Sequence, residues 1–183
     1  MSTAHIVIDT VDVEPRRALD LLVLDRVSIR AWERVLFVQC GDGWIVEEAW
    51  RRAQRAYVCG LDTSPAQVER ARRLREVRGK VEFMAWDGRT LPVPDAAFDR
   101  VVAILSPAPP QDPAALFRDV RRVLRAEGEA YLLSPATGDG ELRLALAQGG
   151  WADLRELTRS ADGCAVLVRA RSAAPASIDQ KIV

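Results

Sequence analysis

The chain has 183 residues, 49% hydrophobic and 28% charged, and its 26 basic and 26 acidic side chains leave no formal net charge. That length supports one domain with a buried core, and the balanced charge offers nothing global to draw the protein to nucleic acid or an anionic membrane. No apolar run approaches the ~20 residues that span a bilayer, and the N-terminus lacks a charged-then-apolar leader pattern, so the expected location is cytoplasmic.

Ile6-Val7-Ile8 and Val11-Asp12-Val13 form a β-prone N-terminal stretch, ended by Glu14-Pro15. A helix is expected from Arg16, with Leu19, Leu22, Val23 and Val27 turned to the core. Val35–Val38 reads as a first buried strand running into Gly41-Asp42-Gly43. Residues 44–55 follow as a helix with Ile45, Ala49, Ala53 and Ala56 roughly on one face. Tyr57–Leu61 is a second strand, stopped by Asp62. Ser64 caps the next helix, Pro65 takes its first position and Gln67 completes a capping box. Val68, Ala71, Leu74 and Val77 are its expected inner face. Val81–Ala85 and Phe98–Leu105 are the third and fourth strands.

Asp112 and Pro113 open another helix, with Leu116, Phe117, Val120, Val123 and Leu124 at helical spacing and Gly128 near its C-terminus. Tyr131–Leu133 is a fifth strand, followed by a short helix over about 140–148. Leu154–Thr158 and Ala165–Arg169 pair around the turn Ala161-Asp162-Gly163. Residues 171–183 read as a loose tail, and no internal repeat is evident. Strands that alternate with helices predict an α/β doubly wound, mostly parallel sheet. Such a sheet binds ligands at the carboxyl ends of its strands, near the topological switch point.

Three acceptable contact groups follow three successive strands. Gln39-Cys40-Gly41-Asp42-Gly43 lets backbone approach a ligand and leads into a helix N-terminus. Val46 stands where a dinucleotide fingerprint wants a third glycine, which counts against NAD or FAD. Asp62 can accept from both ribose hydroxyls. Asp87, between Trp86 and Gly88, can accept from an exocyclic amine while its neighbours cover a purine face. Each aspartate alone fits a helix cap or turn equally well.

Other residue classes narrow the chemistry. Cys40, Cys59 and Cys164 form no CxxC pair, and His5 is the sole histidine, so neither a metal site nor a histidine triad is expected. All basic residues except Lys80 and Lys181 are arginines. Their pairs on predicted helices, mixed with acids, read as solvated faces rather than an RNA-binding stripe. No general base stands out.

Asp87-Gly88-Arg89-Thr90-Leu91-Pro92-Val93-Pro94-Asp95-Ala96-Ala97-Phe98-Asp99-Arg100-Val101-Val102 resembles the stretch D-x-x-x-L-P-F-x-D-x-x-F-D-x-V-V of the class I S-adenosylmethionine-dependent methyltransferases. The nearest type is the small-molecule group related to quinone biosynthesis. Leu116–Gly128 resembles the helix and turn that usually end L-R-P-G-G, and Glu33-Arg34-Val35-Leu36 resembles the entry into the first strand. The likeness covers about residues 16–170. It implies a single domain over 1–170, with 1–15 as an extension, and a Rossmann-like seven-stranded sheet with one antiparallel strand.

The resemblance also implies S-adenosylmethionine as cofactor and a small-molecule methyl acceptor. Gln39, Cys40, Gly41 and Gly43 would meet the methionine end. Asp62 would hold the ribose and Asp87 the adenine, which Trp86 could cover, and Thr63, Gly88 and Leu105 complete the candidate cofactor-binding residues. Two departures stand out: Phe37 replaces an acid that orders the glycine loop, and Gln39 replaces a glycine. They leave a catalytically silent binding module or partner subunit as the second reading. The connection between the fifth and sixth strands is short for a substrate cover, and the β-prone segment 5–13 needs a strand partner. A homodimer and packing within one chain both satisfy it.

Overall fold

The computed structural model describes residues 13–105, 112–136 and 139–172. Its centre follows from short apolar runs that are buried on both faces, as parallel strands must be. β1 (Arg34–Val38) pairs in parallel with β2 (Tyr57–Asp62) on one side and β4 (Phe98–Ile104) on the other. β3 (Val81–Ala85) lies beyond β2. β5 (Leu124–Pro135) continues past β4, and β7 (Ala165–Ser172) then enters antiparallel between β5 and β6 (Trp151–Arg159). The order is β3-β2-β1-β4-β5-β7-β6, so the chain reverses direction across the sheet between β1 and β4.

Alternate side chains of β1 feed two cores. Val35 and Phe37 pack with Val23 of α1 (Val13–Leu24), Ile45 and Ala49 of α2 (Trp44–Arg52), and Val68 and Ala71 of α3 (Pro65–Arg75). Leu36 and Val38 face the opposite layer, with Phe117 and Val120 of α4 (Pro113–Val123) and Leu146 of α5 (Asp139–Gln148). All four β1 side chains are fully buried, and a buried Leu or Phe contributes about 1.5–3 kcal/mol. The N-caps read from the sequence are in place, but the capping box is not closed, because Ser64 N donates to Asp62 Oδ1 at 2.9 Å rather than to the Gln67 side chain. Ser64 Oγ accepts from Gln67 N, Asp112 Oδ1 accepts from Ala115 N at 2.9 Å, and each helix starts on its proline.

Four local readings differ. Val13, expected to end a strand, opens α1, and the rest of the 5–13 segment lies outside the described residues, as does the dimer reading built on it. Leu74 is 55% exposed, because α3 packs at the end of the sheet where only Val68 and Ala71 meet it. Val77 lies past the helix end, bridged to Val81. Gly128 ends no helix: Leu124 is already extended, so α4 passes straight into β5. A Cβ at Gly128 would stand 2.8 Å from Leu124 Cδ2, 3.0 Å from Arg125 O and 3.1 Å from Asp99 O, a crowding that favours glycine there. The tail from 173 and the segment 106–111 also lie outside the described residues.

At the amino ends of the parallel strands a polar cluster is enclosed. Arg100 of β4 is 7% exposed and donates to Glu33 through Nε (2.7 Å) and Nη2 (3.0 Å). Its Nη1 donates to Glu129 Oε2 (2.6 Å) and to the Tyr131 hydroxyl (2.8 Å). Tyr131 donates in turn to Glu129, which also pairs with Arg171. Among the described residues, no helix is long and apolar enough to cross a membrane.

Candidate functional site

β1 stops at Val38, and the next residues must turn sharply under the end of the sheet. Gln39 does so with φ 61°, Gly41 with φ 60° and Gly43 with φ 78°. Gly43 has no substitute, since a Cβ would lie 2.5 Å from the Phe83 ring. Gln39 takes the same left-handed conformation with a side chain, which costs about 1–2 kcal/mol.

Asp62 ties this loop to β2. It is 9% exposed; Oδ2 accepts from Gly41 N at 2.7 Å and Oδ1 from Ser64 N at 2.9 Å. Each oxygen keeps a second lone pair for another donor. Cys40 N donates to Leu61 O at 3.0 Å, completing the link.

The helix before β1 grips the loop from the other side. Arg16 Nη2 donates to Gln39 O at 2.9 Å, while Arg16 Nε donates to Asp20 Oδ1 at 2.9 Å. Asp20 is 2% exposed, and burial pushes its carboxyl up despite the neighbouring Arg16. Arg17 stacks 4.5 Å from the Trp44 ring centre and reaches Asp42 Oδ2 at 2.9 Å. Arg75 of α3 adds a bond from Nε to Asp42 O at 3.0 Å. Burial would raise Asp42, but hydrogen bonds from Arg17 and from Trp44 N hold its carboxyl below the usual value.

Above these residues opens a cavity of about 1140 Å³. Arg16 and Leu19 of α1, Gln39, Gly41, Asp62 and Thr63 line one part of it. Leu105 after β4, Leu133–Pro135 at the end of β5, and Ser160–Asp162 with Cys164–Ala165 of the β6–β7 turn line the rest. The cavity exceeds the roughly 300–1,000 Å³ that encloses one drug-sized ligand, so it has room for two.

Of the residues singled out in the sequence, Gln39, Gly41, Asp62, Thr63 and Leu105 meet in this cavity. Cys40, Gly43, Trp86, Asp87 and Gly88 do not line it. Cys40 is turned beneath the loop, where a Cβ on Gly60 would come within 2.8 Å of its sulfur. Burial, with Asp62 beside it, pushes the Cys40 thiol well above its ordinary value, which removes it as a nucleophile. Trp86 packs in the core with Leu91, and its buried Nε1 has no partner among the described residues. Asp87 is exposed; Oδ1 accepts from Arg89 N at 2.9 Å and Thr90 N at 3.3 Å, and the Arg89 bond leads in holding its carboxyl low.

The sequence reading missed Arg16, Asp20 and the β6–β7 turn. Arg16 and Asp20 are four apart on a helix, a spacing that ordinarily marks an exposed pair. Nothing local shows that this pair is turned inward.

Replacing Gln39 with glycine should relieve the left-handed residue, offset by the flexibility glycine adds to the unfolded chain. The expected result is a stability change within about 1 kcal/mol and tighter binding of S-adenosylhomocysteine, read by thermal unfolding and calorimetric titration. Weaker binding would mean that the loop is shaped around the Gln39 side chain.

The family described as a methyltransferase domain matches residues 35–128, just over half the chain. Demethylmenaquinone methyltransferase of Thermus thermophilus is 34% identical over 122 residues, 66% of this chain and 49% of that protein. The 27-O-demethylrifamycin SV methyltransferase of Amycolatopsis mediterranei is 38% identical over 111 residues, 58% of this chain and 40% of its own length. The chain therefore spans about half the length, or less, of these relatives. Among solved structures, a SAM-dependent methyltransferase from Aquifex aeolicus superposes with a TM-score of 0.72 at 16% identity, over 82% of this chain and 88% of that one.

Proposed function

The chain belongs to the methyltransferase-domain family, and from that premise we propose that it transfers a methyl group from S-adenosylmethionine to a small, largely apolar acceptor. The observation that carries this reading is the cavity, which joins the β1 loop and Asp62 to a second, mainly apolar region. Its size accommodates a cofactor and an acceptor together.

The residues present fit the cofactor. Gly41 has open space where a Cβ would be, so backbone can approach the methionine end closely. Asp62, already fixed by two backbone N–H groups, keeps lone pairs for ribose hydroxyls. Thr63 and Leu105 border the place a purine would take. In this reading Asp87, which is exposed and outside the cavity lining, would accept from an exocyclic amine, and Trp86 supports that end from within the core.

When bound, the cofactor supplies an electrophilic methyl on a sulfonium centre. The chain supplies position. Ile104, Leu133 and Pro135 would wall the acceptor region, while Ser134, Ser160 and Asp162 would offer it polar contacts. Holding two reactants in line can lower a barrier by up to ~7–11 kcal/mol without an acid or base. The relatives named for demethylmenaquinone and demethylrifamycin support an acceptor that is apolar over most of its surface.

Calorimetric titration with S-adenosylhomocysteine tests the cofactor. Methyl-labelled cofactor, followed into the organic-solvent extract of a small-molecule mixture, tests transfer. Saturable heat and extractable label are expected. Absence of heat at millimolar S-adenosylhomocysteine would overturn the reading.

A further inference from the structure

Asp20 is a buried carboxylate that neither helix formation nor core packing requires. It sits in the middle of α1 at 2% exposure, with Arg16 Nε at 2.9 Å and Arg17 Nη1 at 3.6 Å. A buried charge is costly unless paired, and pairs in solvent contribute little. An acid enclosed among two arginines that both continue to the β1 loop therefore has a task in that loop.

The geometry shows the task. Arg16 spends Nε on Asp20 and Nη2 on the carbonyl of Gln39, the strained residue that begins the loop. Neither bond uses Nη1, and Arg16 lines the cavity beside Gln39 and Gly41. Arg17 holds Asp42 on the far side of the same loop, and Arg75 holds Asp42 from α3. Within β1 itself Phe37 is fully buried and apolar, so no β1 side chain can brace the loop by hydrogen bonds.

We propose that α1 braces the β1 loop in place of an acid on that strand, with Arg16 meeting the anionic methionine end of the cofactor and Asp20 acting as the positioning residue for Arg16. This rests on the cofactor reading above. It goes further in assigning cofactor affinity to a helix outside the sheet and to a buried acid that touches no ligand. Asp20 fixes the guanidinium plane through Nε and the Gln39 carbonyl fixes it through Nη2, while the residue lines the cavity. Removing the Asp20 charge frees the plane to rotate and loosens the carbonyl bond, so the penalty falls on the end of the ligand that carries the carboxylate.

Two ligands separate positioning from general support. S-adenosylhomocysteine carries the amino acid end, whereas adenosine shares only the nucleoside. Titration calorimetry on the full chain should find that Asp20→Asn weakens S-adenosylhomocysteine about tenfold or more, the scale of a charge-assisted hydrogen bond, and leaves adenosine within about twofold. Arg16→Ala should give the same selective loss, and the double variant should be no worse than Arg16→Ala alone. Equal losses for both ligands, additive losses in the double variant, or unchanged S-adenosylhomocysteine binding would each overturn the proposal. A wild-type chain that binds neither ligand fails the cofactor reading instead, and this proposal falls with it. Should Asp20→Asn fail to fold, Asp20→Glu keeps the charge, displaces it by one methylene, and carries the same comparison.

Discussion

Asp62→Ala should abolish the rise in melting temperature that S-adenosylhomocysteine gives the wild-type chain. At ~100 times its dissociation constant a ligand stabilises the folded state by about 2.7 kcal/mol, which for a chain of this size is roughly 5–10 °C. The variant removes the acceptor proposed for the ribose hydroxyls. It also removes the acceptor of Gly41 N and Ser64 N, so the β1 loop loses its tie to β2. Each abandoned N–H costs about 1–3 kcal/mol if it stays dry, and the unliganded variant should melt lower as well. Comparing the ligand-induced shift, rather than the absolute midpoint, isolates binding. Asp62→Asn retains one acceptor oxygen and should keep part of the unliganded stability while still losing most of the shift. A full shift in Asp62→Ala would remove Asp62 from the cofactor site.

Arg100→Ala should produce the largest loss of stability, about 3–5 kcal/mol by urea unfolding. The guanidinium is enclosed by Glu33, Glu129 and Tyr131, and truncation leaves buried carboxylates short of their cation. Since this cluster lies at the amino ends of the parallel strands, the loss should appear without a change in S-adenosylhomocysteine affinity in the fraction that remains folded. The same cluster sets an acid limb. Burial alone would raise Glu129, but hydrogen bonds from Tyr131, Arg171 and Arg100 bring it from 4.5 down to about 2. A carboxyl depressed in the folded state contributes its full stability above pH 4.5 and loses it as the pH falls toward 2. Glu129→Gln should flatten that limb and lower stability at neutral pH.

Most of the architecture was legible because local and global preferences agree. Val35–Val38 and Val101–Ile104 could only be buried strands, and Ser64-Pro65 and Asp112-Pro113 mark helix starts by chemistry that needs no tertiary partner. The errors came where a neighbour decides. Leu74 falls on the helical spacing set by Val68 and Ala71, yet the sheet ends before it. Gly128 looks like the close of a helix, but it lies inside β5, crowded by Leu124, Arg125 O and Asp99 O. At the site, Asp62 and the glycine loop were found because each follows a strand end. Arg16 and Asp20 were missed because an arginine and an acid four residues apart carry no mark of which way they face. The turn at 160–165 reaches the cavity only because β7 is inserted between β5 and β6, a placement that pattern alone does not reveal.

That insertion bears on how the molecule is made. β5 finds its second neighbour only when residues 165–171 arrive, thirty or more positions later along the chain. Until those residues leave the ribosome, β5 presents an unpaired edge, and the nascent sheet can reach only β3-β2-β1-β4-β5. Such an edge is a template for other emerging chains, and pairing of this sequence separation is slow to form. Strand β7 is therefore what covers the second edge of β5. It brings with it the turn at 160–165, so covering the edge of β5 and completing the lining of the cavity are a single event.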